Sequence, residues 1–308
     1  MGVGPRSHSQ ASFYHHITLR LVLRVALALI AKNLEYNNDE NIPQHLSQYQ
    51  PELQIQRKIA KVTMIYGERG QIYEKALATH TEHSRRLGYP QIVLRDQLID
   101  GIWNKPAILI RLILQELDKP LNEQLQWLFW FDADTVLMNP NLPLETFLPP
   151  SNLTHVHLVT SKDSNGLNHG GFFLHVHPWS ITMLSAVIAY RTLKPEAKIW
   201  NEQSAFVDII KENEKLAESV VYCPLRWFNA YARSLDNQDQ GLPKSLQVHP
   251  GDLLVHFSGT PFEKLDSTLA SYIAIAEAHQ VEWEPPVEST TYIEETETFW
   301  ENIQLKAT

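Results

Sequence analysis

The chain has 308 residues, 44% hydrophobic and 20% charged, enough to bury a full core in one large α/β domain or two smaller ones. With 12 glycines and 18 prolines it is neither collagen-like nor globally disordered. Asp and Glu (35) outnumber Lys and Arg (26) for a formal charge of −9, and no basic cluster offers the phosphate-neutralising footprint that a nucleic-acid partner needs. The single cysteine, Cys223, excludes an intrachain disulfide and any cysteine-based metal cluster, and its apolar setting fits a small buried hydrophobe.

Residues 1–57 read as a leader and stem. Ile17 to Ala31 is apolar but interrupted by Arg20 and Arg24, and a membrane-spanning helix wants about 20 mostly apolar residues. With Arg6 and Lys32 alongside and no acid before residue 33, the segment fits a signal anchor, an amphipathic surface helix or a start misassigned ahead of a good domain. Residues 33–57, rich in Asn and Gln, fit a linker.

Regular structure is expected from Lys61, where Val62, Met64 and Tyr66 alternate with Thr63 and Ile65 as in a strand. A helix over 71–87 ends at Gly88, a strand covers Gln91 to Leu94, and Pro106 opens a helix to 117. The apolar run Trp127-Leu-Phe-Trp-Phe131 leads into Asp132-Ala-Asp134. Strands are expected at His155–Thr160, Gly171–Val176 and Asp252–Phe257, with helices near 180–191 and 202–218. This alternation predicts a parallel or mixed sheet covered by helices. Eight glutamates between Glu277 and Glu301, with no Lys or Arg among them, predict a solvated, partly docked extension over 271–308.

Four segments concentrate chemistry. If the strand runs through Asp134, alternation puts Asp132 and Asp134 on one face at its carboxyl end, where open α/β sheets bind ligands. A divalent cation on phosphate oxygens would offset the cost of burying both. Read as structure alone, the pair caps a turn before Thr135. Asn168, Gly170 and Gly171 lie in a glycine-rich stretch that suits close backbone approach to a ligand, or equally a tight turn into a core strand. Val255-His-Phe-Ser-Gly259 offers a nitrogen ligand in His256, with Ser258 and Gly259 to face a phosphate. Glu202 and Gln203 open a helix whose cap is Asn201, and they either face a substrate or simply begin the helix. His169, His175 and His177 lack a nearby acidic ligand, and alternation leaves His169 apart from the other two, which argues against zinc.

In this order the segments resemble the fungal and plant galactosyl-, mannosyl- and xylosyltransferase family numbered glycosyltransferase family 34. The resemblance rests on Trp127 to Pro140, Gly166-Leu-Asn-His-Gly170, Asn201-Glu-Gln-Ser-Ala205, Arg226-Trp-Phe-Asn-Ala-Tyr231 and Pro250 to Gly259, with Trp103-Asn-Lys105 as the step before a helix. It covers roughly residues 60–262. It implies a GT-A type fold, a mostly parallel central sheet covered by helices, as a catalytic domain over 58–270. It implies a retaining, Mn²⁺-dependent hexosyltransferase, with Mg²⁺ as the other candidate cation. Such an enzyme moves galactose or mannose from a UDP-sugar or GDP-sugar to a glycan, glycoprotein or glycolipid acceptor.

By the same resemblance Asp132, Asp134 and His256 would hold the metal. Asp132, Lys105, Ser258, Gly259 and Gly170 would bind the donor, and Asn168, Glu202 and Gln203 would surround the transferred sugar. A Golgi membrane location with a luminal catalytic domain follows from the resemblance too, anchored through residues 17–31. Two positions depart from the family: Thr260 stands where a cysteine is common, and Asn201 where an acid is usual, which weakens the acceptor assignment. A non-catalytic nucleotide-sugar or glycan-binding protein of the same fold is the alternative. A glycoside hydrolase would need carboxyls roughly 5 to 9 Å apart across a sugar, unlike two acids on one strand.

Overall fold

A computed structural model describes residues 58–66, 70–99, 101–163, 166–194, 202–233 and 242–307. The leader and stem, the 17–31 segment and Asn201 lie outside the described residues. Among the described residues no helix is long and apolar enough to cross a membrane.

The central sheet has six strands in the order β2-β1-β3-β6-β5-β7. They are β1 (Ile59–Met64), β2 (Gln91–Leu94), β3 (Trp127–Phe131), β5 (Leu158–Asp163), β6 (Gly166–His175) and β7 (Val220–Cys223). β6 alone runs against its neighbours, and all other pairings are parallel. A small sheet sets β4 (Thr135–Leu137) against β9 (Leu254–His256), with β8 (Ala230–Tyr231) beside it. The strand expected over Gly171–Val176 thus begins five residues earlier, at Gly166. Asn168 and His169 therefore lie inside the ladder instead of in a loop.

Side-chain alternation along β3 divides the core. Leu128 and Trp130 face α2 (Asn104–Leu117), α3 (Pro178–Leu193) and α4 (Glu202–Glu212). Trp127, Phe129 and Phe131 face the other way, among Phe147, Phe173, Trp227 and Phe228. Because all five residues of β3 are buried, both faces need apolar side chains, hence an unbroken hydrophobic run. Helix α1 (Gly70–Leu87) packs on β4 and on α6 (Phe262–Glu277).

Helix α6 runs through residue 270, where the expected catalytic domain ended, and the acidic segment after it is built into the fold. Helix α7 (Tyr292–Ala307), which follows the short helix α5 (Glu214–Ala217) and α6 in chain order, sends Tyr292 and Trp300 into the second core. Arg226 donates to Asp252 Oδ1 at 2.5 Å, to Tyr292 Oη at 3.0 Å and to Glu295 Oε2 at 2.5 Å, while Trp227 Nε1 donates to Glu295 Oε1 at 2.8 Å. Six of the eight glutamates are exposed, Glu284 pairs with Arg86 and Glu295 with Arg226, and the aromatic residues interleaved with them make the docking face. Trp300, at 3% exposure, is expected to cost about 3–5 kcal/mol on replacement by alanine. Urea unfolding measures this, and a loss below about 1 kcal/mol would show that the helix does not belong to the cooperative unit.

At the end of the sheet opposite β3's carboxyl end, His157, His175 and His177 stack on one another, and His175 stacks on Trp127. His157 Nδ1 and His175 Nδ1 are 3.0 Å apart. Burial first, then the neighbouring histidines, pushes His157 and His175 down to about 4. The unfolded chain therefore takes up protons before the folded one, so stability falls as pH drops from about 6.5 to about 4 and changes no further from these groups below that. Denaturant midpoints across this range should show the slope, and His175→Gln should flatten it. An equal slope in that variant would assign it to other groups.

Candidate active site

The parallel strands β1 and β3 end at the same side of the sheet, and a cleft of about 520 Å³ opens there. At the end of β3 the chain turns sharply, so Asp132 and Asp134 do not continue the strand as alternation implied. Asp132 N–H donates to Gly170 O at 2.7 Å, and Thr135 N–H closes the turn on Asp132 O at 3.2 Å. Thr135 then pairs with His256 in the β4–β9 ladder, and Phe257 N–H donates to Asp134 O at 3.0 Å. The turn and the ladder bring ligand atoms of Asp132, Asp134 and His256 within 4.8 Å of one another. His256 Nε2 lies 3.6 Å from Asp134 Oδ1.

This donor set fits a cation. Two carboxylates and an imidazole are a mixed oxygen and nitrogen set of the kind that takes Mn²⁺ or Mg²⁺. His256 is buried, and its Nδ1 has no hydrogen-bond partner among the described residues. A buried imidazole spends desolvation free energy that a metal bond or a hydrogen bond must offset. The ring lies directly against Gly170: a Cβ on that residue would overlap the imidazole, which is why glycine stands there. At Gly171 a Cβ would meet Phe228 O. The two glycines thus admit protein neighbours, and Gly170 also lines the cleft.

Lys105, near the start of α2, is buried at the floor of the cleft. Its Nζ lies 2.9 Å from Asp132 Oδ1, 3.0 Å from Glu202 Oε1 and 3.2 Å from His169 O, and 5.2 Å from the centre of the Trp130 ring. Burial alone would lower the Lys105 pKa, but the carboxylates of Asp132 and Glu202 outweigh it and raise it above the usual lysine value. Asp132 Oδ1 also accepts from Trp130 Nε1 at 2.7 Å, which fixes the carboxylate's orientation. Gln203 lines the cleft from the first turn of α4, its Oε1 accepting from His169 N–H at 3.1 Å. Ser258 and Gly259 line the opposite wall, and Gly259 has φ of 71°, a left-handed conformation that glycine adopts without strain.

Asn168, expected beside the transferred sugar, does not line the cleft. It is 2% exposed, its Nδ2 donating to Asp163 Oδ2 at 2.9 Å and its Oδ1 accepting from Gly170 N–H at 3.0 Å. Its place within β6 explains this, since the ladder turns the amide into the protein, where it secures the backbone of Gly170. Tyr231 donates to the same Asp163 oxygen at 2.8 Å. His175 and His177 stand at the opposite end of the strands, and His169 is buried against Phe172 and Phe206, so none joins the metal cluster. Tyr66, Tyr73 and Ile102, which also line the cleft, escaped the sequence reading. Tyr66 follows β1 directly, so the rule that ligands bind at strand carboxyl ends points to it.

Residues 151–266 match the model of the galactosyl transferase GMA12/MNN10 family. Over this stretch the chain resembles that family. Among curated relatives it is 26% identical over 195 residues to a probable alpha-1,2-galactosyltransferase, gmh1, of Schizosaccharomyces pombe, covering 53% of this chain and 54% of the relative. To a second, gmh2 of the same yeast, it is 23% identical over 231 residues, covering 63% of this chain and 62% of that one. The chain thus spans little more than half the length of these relatives. A crystal structure of a glycosyltransferase involved in glycosylation of the major capsid of PBCV-1 superposes with a TM-score of 0.54 at 16% identity. That match covers 69% of this chain and 98% of the other. The fold of this chain is the expected GT-A type, with β6 the one reversed strand of its central sheet.

Proposed function

We propose that the protein is a divalent-cation-dependent glycosyltransferase that transfers galactose, with retention of configuration, from a nucleoside diphosphate sugar to a glycan acceptor. The observation that carries this reading is the convergence of Asp132, Asp134 and His256 on one point of the cleft. The charge balance supports it: among the described residues, the ionic side chains lining the cleft are three carboxylates, Asp132, Asp134 and Glu202, against Lys105. An anionic diphosphate meets repulsion there unless a dication binds with it. The galactose reading rests on the names of the yeast relatives, and Mn²⁺ on the imidazole in the donor set.

Asp132, Asp134 and His256 would hold the cation, with Ser258 and the backbone of Gly259 beside the diphosphate. The cation would supply stabilisation of the negative charge that grows on the departing diphosphate. Lys105 holds the Asp132 carboxylate in place through their ion pair, and the same ammonium engages Glu202. Among the described residues, the cleft carboxylates are therefore committed to the metal cluster or to Lys105, and none of these is left to act as a covalent nucleophile. Retention then favours departure and attack on the same face of the sugar, with the Gln203 amide, oriented by His169 N–H, close to the anomeric centre.

The test is turnover of UDP-galactose and GDP-mannose with Mn²⁺, with and without EDTA, followed by anomeric analysis of the product. Mn²⁺-dependent transfer from UDP-galactose with retention is expected. Cation-dependent nucleotide binding without turnover would instead make the chain a sugar-nucleotide-binding protein.

We also propose a Golgi lumen location with residues 17–31 as anchor, on the basic leader and on Asn152-Leu-Thr154, an N-glycosylation acceptor whose Asn152 is exposed in a turn. Protein from the native host should then shift in mass on treatment with peptide N-glycosidase. No shift, together with full carbonate extraction, would overturn this placement.

A further inference from the structure

Three basic side chains, Lys61, His80 and His83, are buried between β1 and α1 with no carboxylate among their polar contacts to the described residues, and the transfer chemistry uses none of them. Their hydrogen bonds form two directed runs, one from Lys61 through His83 and one from the His80 ring to Thr135. Lys61 Nζ donates to His80 O at 3.0 Å and lies 3.1 Å from His83 Nδ1, while His83 Nε2 lies 3.0 Å from Leu142 O. A carbonyl only accepts, so His83 carries its proton on Nε2 and accepts from Lys61 on Nδ1. His80 Nε2 lies 3.0 Å from Thr135 Oγ1, and that hydroxyl spends its only proton on Asp132 O at 2.7 Å. Thr135 Oγ1 must therefore accept from His80, which fixes His80 as the Nε2–H tautomer. Its Nδ1 is left buried with no partner among the described residues.

An orphaned ring nitrogen is a cost that leucine at position 80 would not carry, so the bond made by the other nitrogen needs a reason. Thr135 supplies one. It closes the Asp132–Thr135 turn through both its N–H and its hydroxyl, at 3.2 Å and 2.7 Å from Asp132 O, and it is registered opposite His256 in the ladder. One residue thus joins the backbone of both aspartates to the strand of the third ligand. Helix α1 braces the same segment twice more, by Thr79 Oγ1 accepting from Leu137 N–H at 3.0 Å and by His80 stacking on Phe131 with ring centres 3.8 Å apart.

We propose that His80 and Thr135 are positioning residues for the cation site: helix α1, outside the cleft, sets the spacing of Asp132, Asp134 and His256 through the His80–Thr135–Asp132 chain. This rests on the cation reading above. Thr135→Val keeps shape but removes the hydroxyl, and His80→Phe keeps the ring stack but removes the donor. Each is expected to weaken Mn²⁺ binding to the full chain at least about tenfold, the lower end for removing a group that orients a metal ligand. Thr135→Ser and His80→Gln, which keep the hydroxyl and a donor at the Nε2 position, should retain wild-type affinity.

Calorimetry and the Mn²⁺ electron paramagnetic resonance spectrum read this without turnover, beside the urea midpoint of each variant. Wild-type affinity in folded Thr135→Val or His80→Phe would overturn the inference. So would equal weakening in Thr135→Ser and His80→Gln, which would mark a general packing role. If Thr135→Val fails to fold, the His80→Phe and His80→Gln pair decides. A wild-type chain that binds no Mn²⁺ would overturn the cation reading itself, an outcome distinct from unchanged affinity in a variant.

Discussion

Asp134→Asn is expected to lower Mn²⁺ affinity and cation-dependent transfer at least about a hundredfold while leaving the folded state almost untouched. The two halves of this expectation have separate causes. Asp134 is partly exposed and sits mid-turn, held by its backbone: its carbonyl accepts from Phe257 N–H at 3.0 Å, and its carboxylate reaches His256 only at 3.6 Å, beyond hydrogen-bond length. The amide keeps size and turn preference, so the turn should survive. What is lost is an anionic oxygen ligand in a site whose other oxygen donor, Asp132, already shares its Oδ1 with Lys105 and Trp130. Asp132→Asn should behave differently, because it also leaves buried Lys105 with only Glu202 as counter-ion, and it should lower the urea midpoint as well. Calorimetry with Mn²⁺ and with Mn²⁺-UDP separates the two variants. Full Mn²⁺ affinity in Asp134→Asn would sink the metal assignment.

What the sequence disclosed and what it hid differ in physical kind. The run from Trp127 to Phe131 is legible because a strand buried on both faces admits only apolar side chains, whereas alternation carries the strand on through Asp134, where the chain in fact turns. Asp132 and Asp134 do share the cleft, but through a closed turn and not through side-chain alternation. Asn168 was misplaced because its glycine neighbours read as a loop, whereas Gly170 and Gly171 are glycines so that His256 and Phe228 can approach β6. No local pattern announces a residue kept small for the sake of another 86 positions away.

The C-terminal helix was hidden by the same kind of distance. Its glutamates dominate composition, while Tyr292 and Trp300 find their partners, Phe147 and Trp227 among them, only in three dimensions. Helix α1 looked like an ordinary amphipathic helix for a similar reason, since the meaning of His80 depends on Thr135, 55 residues later.

Gly170→Ala should be nearly as damaging to the cation site as loss of a ligand, although glycine contributes no side chain to it. The added Cβ would overlap the His256 ring, and that ring has little room to retreat: it is buried, and its strand is held by Thr135 on one side and by Tyr231 on the other. Overpacking of this kind costs typically about 1–3 kcal/mol, and its relief requires either the imidazole or β9 to move. Mn²⁺ affinity is therefore expected to fall at least about tenfold, toward the value of His256→Ala, together with the urea midpoint. The decisive comparison is the double variant. If the damage arises from the ring, Gly170→Ala should add almost nothing, in affinity or in stability, to a chain already carrying His256→Ala, because the space is then free. Gly171→Ala is the control, since its Cβ would meet the Phe228 carbonyl, a backbone atom that His256→Ala cannot remove. Additive losses in Gly170→Ala/His256→Ala would mean that the glycine serves the backbone of β6 and that the imidazole is placed by other means.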